Sequence, residues 1–423
     1  VTAPEPFSLR RIAVPAFGPS VLFGTATGAM MPVIALRAME LGASPALAGF
    51  MTALIGLGGL ISNLPAALLT ARIGERRAIL AAAGLGAFGG LVCLAVEEAR
   101  WLAVGVVLLG AVSAVFMLAR QGYLTERVPV AMRARALATL GGSSRIGVFI
   151  GPFLASGFIH LWGLRGAFWV VVAAMLATGA LTLLHPDLPT IGADKIGADN
   201  SAEKSAAQNA QPRSNAPPAP PAPPAPPAVT LRQILRSHAG VLRTLGVGVM
   251  LVMMLRACRQ VAIPLWGTHL GIAPATVTLI YGLTAAVDML AFYPAGSIMD
   301  RYGRLWIALP SSLTMGLALI LMPLAAVGPA SYVAVCLLLG LGNGISSGLV
   351  MTLAADAAPA NARPQFLGLW RLLGDTGACS GPFILSGLTA GLSLGAGIAC
   401  IGLTGLAAAA VFWRWLPHGR GRS

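Results

Sequence analysis

Charge is what this sequence has least of. Only 10% of its 423 residues are Asp, Glu, Lys or Arg, against roughly a quarter in a soluble domain, and that excludes a soluble globular fold. Lysine is nearly missing: Lys195 and Lys204, both in one polar stretch, are the whole complement. Their placement removes a phosphate-cradling Gly-Lys-Ser/Thr loop and a Schiff-base lysine within a helix, and with them an ATP-driven pump contained in this chain. The cysteines Cys93, Cys258, Cys336, Cys379 and Cys400 stand singly in apolar runs without Cys-x-x-Cys spacing, so they read as small packing residues. His160 and His269 fall between apolar runs, and no run holds a His/Asp/Glu cluster or a Ser-His pair. Neither an embedded enzyme nor a metal or cofactor site is expected.

What the chain does have is apolar length. Hydrophobic residues make up 57%, and the mean hydropathy is +0.81. One bilayer crossing takes about 20 mostly apolar residues, and runs of that size fall near 13–37, 46–71, 77–96, 101–125, 136–160 and 165–185. A second set falls near 240–268, 274–299, 305–326, 329–355, 365–390 and 394–416. The expected fold is therefore an all-α membrane protein of twelve spans in two six-helix halves, 1–185 and 240–423. Arg10 and Arg11 precede a first run that continues to about residue 37, longer than a signal-peptide core, so an uncleaved first span is expected. Residues 186–239 hold both lysines and the Ala-Pro tract from Pro217 to Pro227; proline makes this an extended spacer between the halves. Thr230, followed by Leu231, Arg232, Ile234, Leu235 and Arg236, reads as a capped amphipathic turn on the membrane surface.

The halves are copies of each other. A shift of 230 aligns Pro129 with Pro359, Arg133 with Arg363, Gly147 with Gly377, Gly151-Pro152-Phe153 with Gly381-Pro382-Phe383, and Ser156-Gly157 with Ser386-Gly387. A shift of 229 aligns Leu41-Gly42 with Leu270-Gly271, Pro45 with Pro274, Pro65 with Pro294, Arg72 with Arg301 and Gly74 with Gly303. With six helices in each copy the halves share one orientation and form a parallel repeat. The net charge of +14 could suggest a nucleic-acid partner, but its distribution is topogenic. Twenty Lys/Arg fall in the termini, the spacer and the loops on the same side, and three, Arg37, Arg100 and Arg165, on the other. Both termini and the spacer are thus expected in the cytoplasm, with no nucleic acid bound.

One loop carries a signature. Gly296-x-x-x-Asp300-Arg301-x-Gly303-Arg304 follows the eighth run; its glycines permit a tight turn, and Asp300 can pair with arginines or a helix N-terminus. The first half has a worn copy, in which Arg72, Gly74, Arg76 and Arg77 remain while Ala67 and Ala71 replace the first Gly and the Asp. The pattern, with the duplicated six-helix halves, resembles the major facilitator superfamily over nearly the whole chain. Gly147-x-x-x-Gly151-Pro152 and its repeat Gly377-x-x-x-Gly381-Pro382 allow close helix packing and bend their helices. The first of these resembles a segment of the motif of drug:proton antiporters in that superfamily, with Ala138 and Ala155 where the motif has Gly. Gln121-Gly122 matches a further antiporter pattern whose arginine would stand at Leu118; here it is Arg120.

Seven charges lie inside spans: Arg120, Arg145, Arg256, Arg259, Asp288, Arg371 and Asp375. Exposing each to lipid would cost about 2.5–3.5 kcal/mol, so they should face a cavity or one another; Arg120, near a span end, could instead snorkel. The resemblance implies that helix 5 faces helix 8 and helix 2 faces helix 11. On helical rise, Arg145 then meets Asp288, Arg371 pairs with Asp375 one turn away, and Asn63 lies at the height of Arg371. Asp288 or Asp375 is the expected acceptor of a coupling proton. At the inner helix ends, Asp300, Arg304 and Asp356 should form a gate cluster, and Glu126 should meet Arg76 or Arg77, leaving Glu75 unpaired. The expected function is that of a monomeric secondary carrier in a bacterial-type inner membrane, exporting a small lipophilic or amphipathic molecule against protons by alternating access. Uptake of a small organic anion and a transport-dead sensor are the alternatives.

Overall fold

A computed structural model describes residues 13–128, 130–185, 235–325, 328–359 and 362–417. Arg10, Arg11, Pro129 and most of the spacer, including both lysines, the Ala-Pro tract and the turn from Thr230 to Ile234, lie outside the described residues. Among the described residues, twelve long helices follow in order. The first half contains α1 (Ala13–Glu40), α2 (Pro45–Ile73), α3 (Glu75–Ala95), α4 (Ala99–Arg127), α5 (Val130–Trp162) and α6 (Gly166–Leu184). The second contains α7 (Ala239–His269), α8 (Pro274–Tyr302), α9 (Leu305–Ala325), α10 (Pro329–Ala357), α11 (Arg363–Gly391) and α12 (Leu394–Trp415). Among the described residues, eleven helices are long and apolar enough to cross a membrane. The exception is α11, whose 29 residues suffice in length but include Arg371, Asp375, Thr376 and Ser380.

Local sequence sets the helix ends. Ser44 accepts from the Leu47 N–H at the start of α2 and Ser393 from the Ala396 N–H at the start of α12, the usual way to satisfy orphan N-terminal donors. The turns after α2 and α8 need a left-handed residue: Gly74 sits at φ 80° and Gly303 at φ 100°, where a Cβ would be strained. This gives the repeated glycine of the loop signature a conformational reason.

Glycines also set how closely helices approach within each half. A Cβ on Gly147 would stand 2.0 Å from the Val21 carbonyl oxygen, and one on Gly377 would stand 2.1 Å from that of Met250. Gly151 faces the Thr25 carbonyl and Gly381 that of Met254. These are matched contacts of α5 on α1 and of α11 on α7, in the registers of the internal repeat, and any larger residue at Gly147 would force the α1 and α5 backbones apart. The same symmetry relates Gly110 on the Ile55 carbonyl to Gly340 on that of Thr284. Backbones in such contact are what small residues permit where lipid provides no hydrophobic drive for helix association.

The halves meet along two seams, α5 with α8 and α2 with α11. Each seam is hydrogen-bonded at the face away from the termini. Ser156 donates to the Ala275 carbonyl at 2.8 Å, and its repeat partner Ser386 donates to the Ala46 carbonyl at 2.5 Å. Toward the face that carries the chain ends, the α2–α11 seam parts around a partly open cavity lined by Leu60, Asn63 and Ala67 of α2 and by Gly368, Arg371 and Leu372 of α11.

Candidate functional site

A cavity of about 710 Å³ lies between the halves, lined from α1, α2 and α4 on one side and α7 and α11 on the other. Its wall is largely apolar, with Met31, Leu60, Met117, Leu118, Met253 and Leu372. Polar groups are few: Arg256, Arg371 and Asp375, with Asn63, Gln121, Gln260 and the hydroxyl residues Thr52 and Ser113. Arg371 Nε lies 3.8 Å from Asp375 Oδ2, one helical turn away on α11, and Asn63 faces the same space, as helical rise predicts.

Arg145 and Asp288 meet across the other seam. Arg145 Nη1 is 3.8 Å from Asp288 Oδ1 and donates to Ser347 Oγ at 3.1 Å. Its guanidinium carbon lies 4.6 Å from the centre of the Phe292 ring, a cation–π distance. Ser347 stands where α10 is interrupted, between its segments ending at Ser346 and resuming at Leu349. The pair is also tied back to the cavity, through a residue that the sequence did not single out. Asn343, 3% exposed, donates through Nδ2 to Asp288 Oδ2 at 2.6 Å and accepts from Arg256 Nε at 3.0 Å. An amide has a donor and an acceptor at its two ends, so it can link a carboxylate to a guanidinium with the correct polarity at both. The chain Arg256–Asn343–Asp288–Arg145–Ser347 therefore runs from the cavity wall to the seam. Asp288 Oδ1 has no hydrogen bond among the described residues. Gly344 holds the carboxylate's backbone close, since a Cβ there would lie 2.4 Å from the Asp288 carbonyl.

The repeat explains why the cavity lies at one seam only. By the 229 and 230 shifts, Asp288 corresponds to Gly59, Phe292 to Asn63, and Arg145 to Asp375. An aromatic ring, a carboxylate and a long guanidinium fill the α5–α8 seam; a glycine, an amide and a carboxylate stand at the α2–α11 seam. A Cβ on Gly59 would find only the Gly110 carbonyl, at 3.5 Å.

The remaining charges have separate roles. Arg259, also on α7, is 7% exposed, and its Nε has no partner among the described residues. Arg120 does not snorkel: it is 2% exposed and donates to the carbonyls of Pro15 and Ala16. Pro19 has no N–H to return to the Pro15 carbonyl four residues earlier, so Arg120 satisfies an acceptor that proline frees.

At the face that carries the chain ends, Arg304 clasps Asp356 with two bonds, Nε to Oδ2 at 2.8 Å and Nη2 to Oδ1 at 3.3 Å. Hydrogen bonding to Asp356 raises the Arg304 guanidinium above its ordinary range, and the Asp300 charge adds to this. Arg301 lies over the Tyr302 ring, and Gly296 faces open space. In the first half Arg76 donates to the carbonyls of Thr182, Leu183 and His185 at the end of α6. Arg72 and Arg77 are exposed. Glu126 lies against Glu75, so Glu75 is not the unpaired turn residue that the sequence suggested.

A model of the Major Facilitator Superfamily matches residues 19–382, and also residues 245–422. The inner membrane transport protein YajR of Escherichia coli (strain K12) is 32% identical over 162 residues, which is 36% of this chain and 33% of YajR. The match thus spans about a third of that relative's length. A POT family transporter, solved in complex with a thioalcohol-conjugated peptide, superposes with a TM-score of 0.73 at 14% identity over 96% of both chains. The inward-open xylose transporter XylE from E. coli gives 0.69 at 16% identity over 98% of both. At these identities the two structures speak to the fold alone.

Proposed function

We propose, from the premise that the chain belongs to the Major Facilitator Superfamily, that this secondary transporter exports a small lipophilic or amphipathic molecule in exchange for protons by alternating access. Membership makes it an integral membrane carrier and not an enzyme. The observation that carries the finer reading is the cavity of about 710 Å³, apolar in most of its wall and bearing two arginines and one aspartate. A pocket of that size with few, grouped polar residues suits a small molecule with one polar end. Midway between parallel repeats is where such carriers bind their cargo.

Charge placement supports the topology. Arginine retention on the side of the termini supports a cytoplasmic location for both ends of the chain, in an inner membrane like that of YajR; the face where the α2–α11 seam parts is then the cytoplasmic one. Reporters fused after Ser205 and after Gly328 should read opposite compartments, and the same compartment for both would end this arrangement. In everted vesicles, an acid-inside gradient should drive accumulation of amphipathic fluorescent probes, with alkalinisation of the lumen. Accumulation without proton movement would remove the coupling, and no flux with any probe in either vesicle orientation would leave a sensor. One observation favours the alternative of organic-anion uptake: five guanidiniums lie in the spans against two carboxylates. Accumulation only in right-side-out vesicles would decide for it.

A further inference from the structure

The central charges do not balance. Arg145, Arg256, Arg259 and Arg371 surround the cavity and the α5–α8 seam, with Asp288 and Asp375 as the carboxylates. Asp288 lies beside Arg145 and Asp375 beside Arg371. Arg256 has a neutral amide, Asn343, as its hydrogen-bonded partner, and Arg259 leaves its buried Nε unpaired. Asp288 is thus shared between Arg145 and, through Asn343, Arg256, and four guanidiniums stand against two carboxylates, a surplus of two positive charges in the low-dielectric centre of a membrane protein. A buried charge is tolerated when it is paired and hydrogen-bonded. The cavity that Arg256 lines is not enclosed, so the missing negative charge can come from solution.

We infer that the cavity binds an amphipathic organic anion, its carboxylate, sulfonate or phosphate head held between Arg256 and Arg371 and its apolar body against Met31, Met117, Leu118 and Met253. This deepens the proposed function, resting on the reading of the cavity as the substrate site. Guanidinium presents a planar fork of N–H donors that matches such heads in geometry as well as charge. Arg256 comes from α7 and Arg371 from α11, while Asn63 and Gln121 line the same cavity from the other half. An anion there touches both halves and neutralises the surplus. A cation would add to it, and a neutral alcohol would leave it.

The test is a charge series on the purified full chain in nanodiscs of zwitterionic lipid. The probes share one ring system: 2-naphthalenesulfonate, 1-naphthoate, 1-naphthalenemethanol and 1-naphthylmethylammonium. Saturable binding is read from the thermal unfolding shift. A second readout is protection of Cys379, which lines the cavity, from N-ethylmaleimide in a Cys400→Ser background. Both anions should bind and slow alkylation, each at least about tenfold tighter than the alcohol or the ammonium. Arg256→Gln should lose about ten- to hundredfold in anion affinity, the worth of a charge-assisted contact. Arg256→Lys should keep the preference for anions at lower affinity. Binding of the alcohol or ammonium as tightly as the anions, or no binding of either anion, overturns the proposal, and neither outcome depends on a variant that folds. Unchanged anion affinity in a monodisperse Arg256→Gln protein overturns it too. Complete loss of naphthalenesulfonate binding on changing to phosphatidylglycerol nanodiscs would assign the site to a lipid head group and overturn the soluble anion. Anion binding without flux would leave this site standing while the export reading falls; flux of a cation without anion binding would do the reverse.

Discussion

Asp288→Asn is expected to reduce proton-driven accumulation to the level of empty vesicles while substrate exchange without a gradient continues within about tenfold of wild type. The argument is geometric. Arg145 and Asp288 belong to different halves and stand 3.8 Å apart, so rocking one half against the other changes their separation. A carboxylate that loses its arginine in the middle of a membrane takes a proton, and this ties protonation to conformation. Asn keeps the shape and the bond from Asn343 but cannot be charged, so the halves move without a proton. The cost to binding is expected to be small, since Asp288 does not line the cavity and Arg145 keeps Ser347 and Phe292 as partners. Asp375 serves as the comparison. Its arginine, Arg371, lies on the same helix, and a rigid movement of the halves does not separate them. Asp375→Asn should therefore weaken accumulation without abolishing it. Wild-type accumulation in Asp288→Asn would mean that the proton travels elsewhere; wild-type accumulation in both variants would remove carboxylate coupling altogether.

The helices were legible because a bilayer demands long apolar runs, and each expected run is found as a helix within a few residues of its place, α11 being the one that falls short of the apolarity of a span. The repeat was legible too, and more deeply than identities alone suggest. The 229 and 230 registers that align Ser156 with Ser386 also align their acceptors, Ala275 and Ala46. Ion pairs at helical spacing, Arg371 with Asp375, or at matched depth, Arg145 with Asp288, could be read from rise per residue once helix neighbours were assumed. The position of the cavity could not. It depends on Gly59 and Asn63 standing where the other seam has Asp288 and Phe292, a difference in volume that matters only when two seams are compared in space. Glu75 and Glu126 were missed for a related reason: two acidic residues far apart in sequence give no sign that one turn will press them together.

Asn343 is the other residue that the sequence kept silent, because one amide in a run of Leu and Gly is as easily a packing residue as a link. Asn343→Leu keeps the branched four-atom skeleton of the side chain, with bulkier methyl ends, and removes both of its bonds, leaving Arg256 Nε and Asp288 Oδ2 without the partners they now have. Each buried polar group so stranded costs about 1–3 kcal/mol, and a lowered unfolding temperature is expected. That alone would show only a structural role. The sharper expectation is a cycle with Asp288→Asn. If Asn343 acts by orienting Asp288, Asn343→Leu alone should lose most proton-driven accumulation, and in the Asp288→Asn background it should remove nothing further, the non-additivity of residues in one network. Asn343→Asp acts on both ends. As a carboxylate it has no N–H for Asp288, and it gives Arg256 the counter-charge that an anionic substrate would bring, so accumulation and anion binding should both fall. If Asn343→Leu keeps the wild-type ratio of accumulation to exchange, Asp288 is positioned by Arg145 and Gly344 alone, and the path from cavity to seam does not run through the amide.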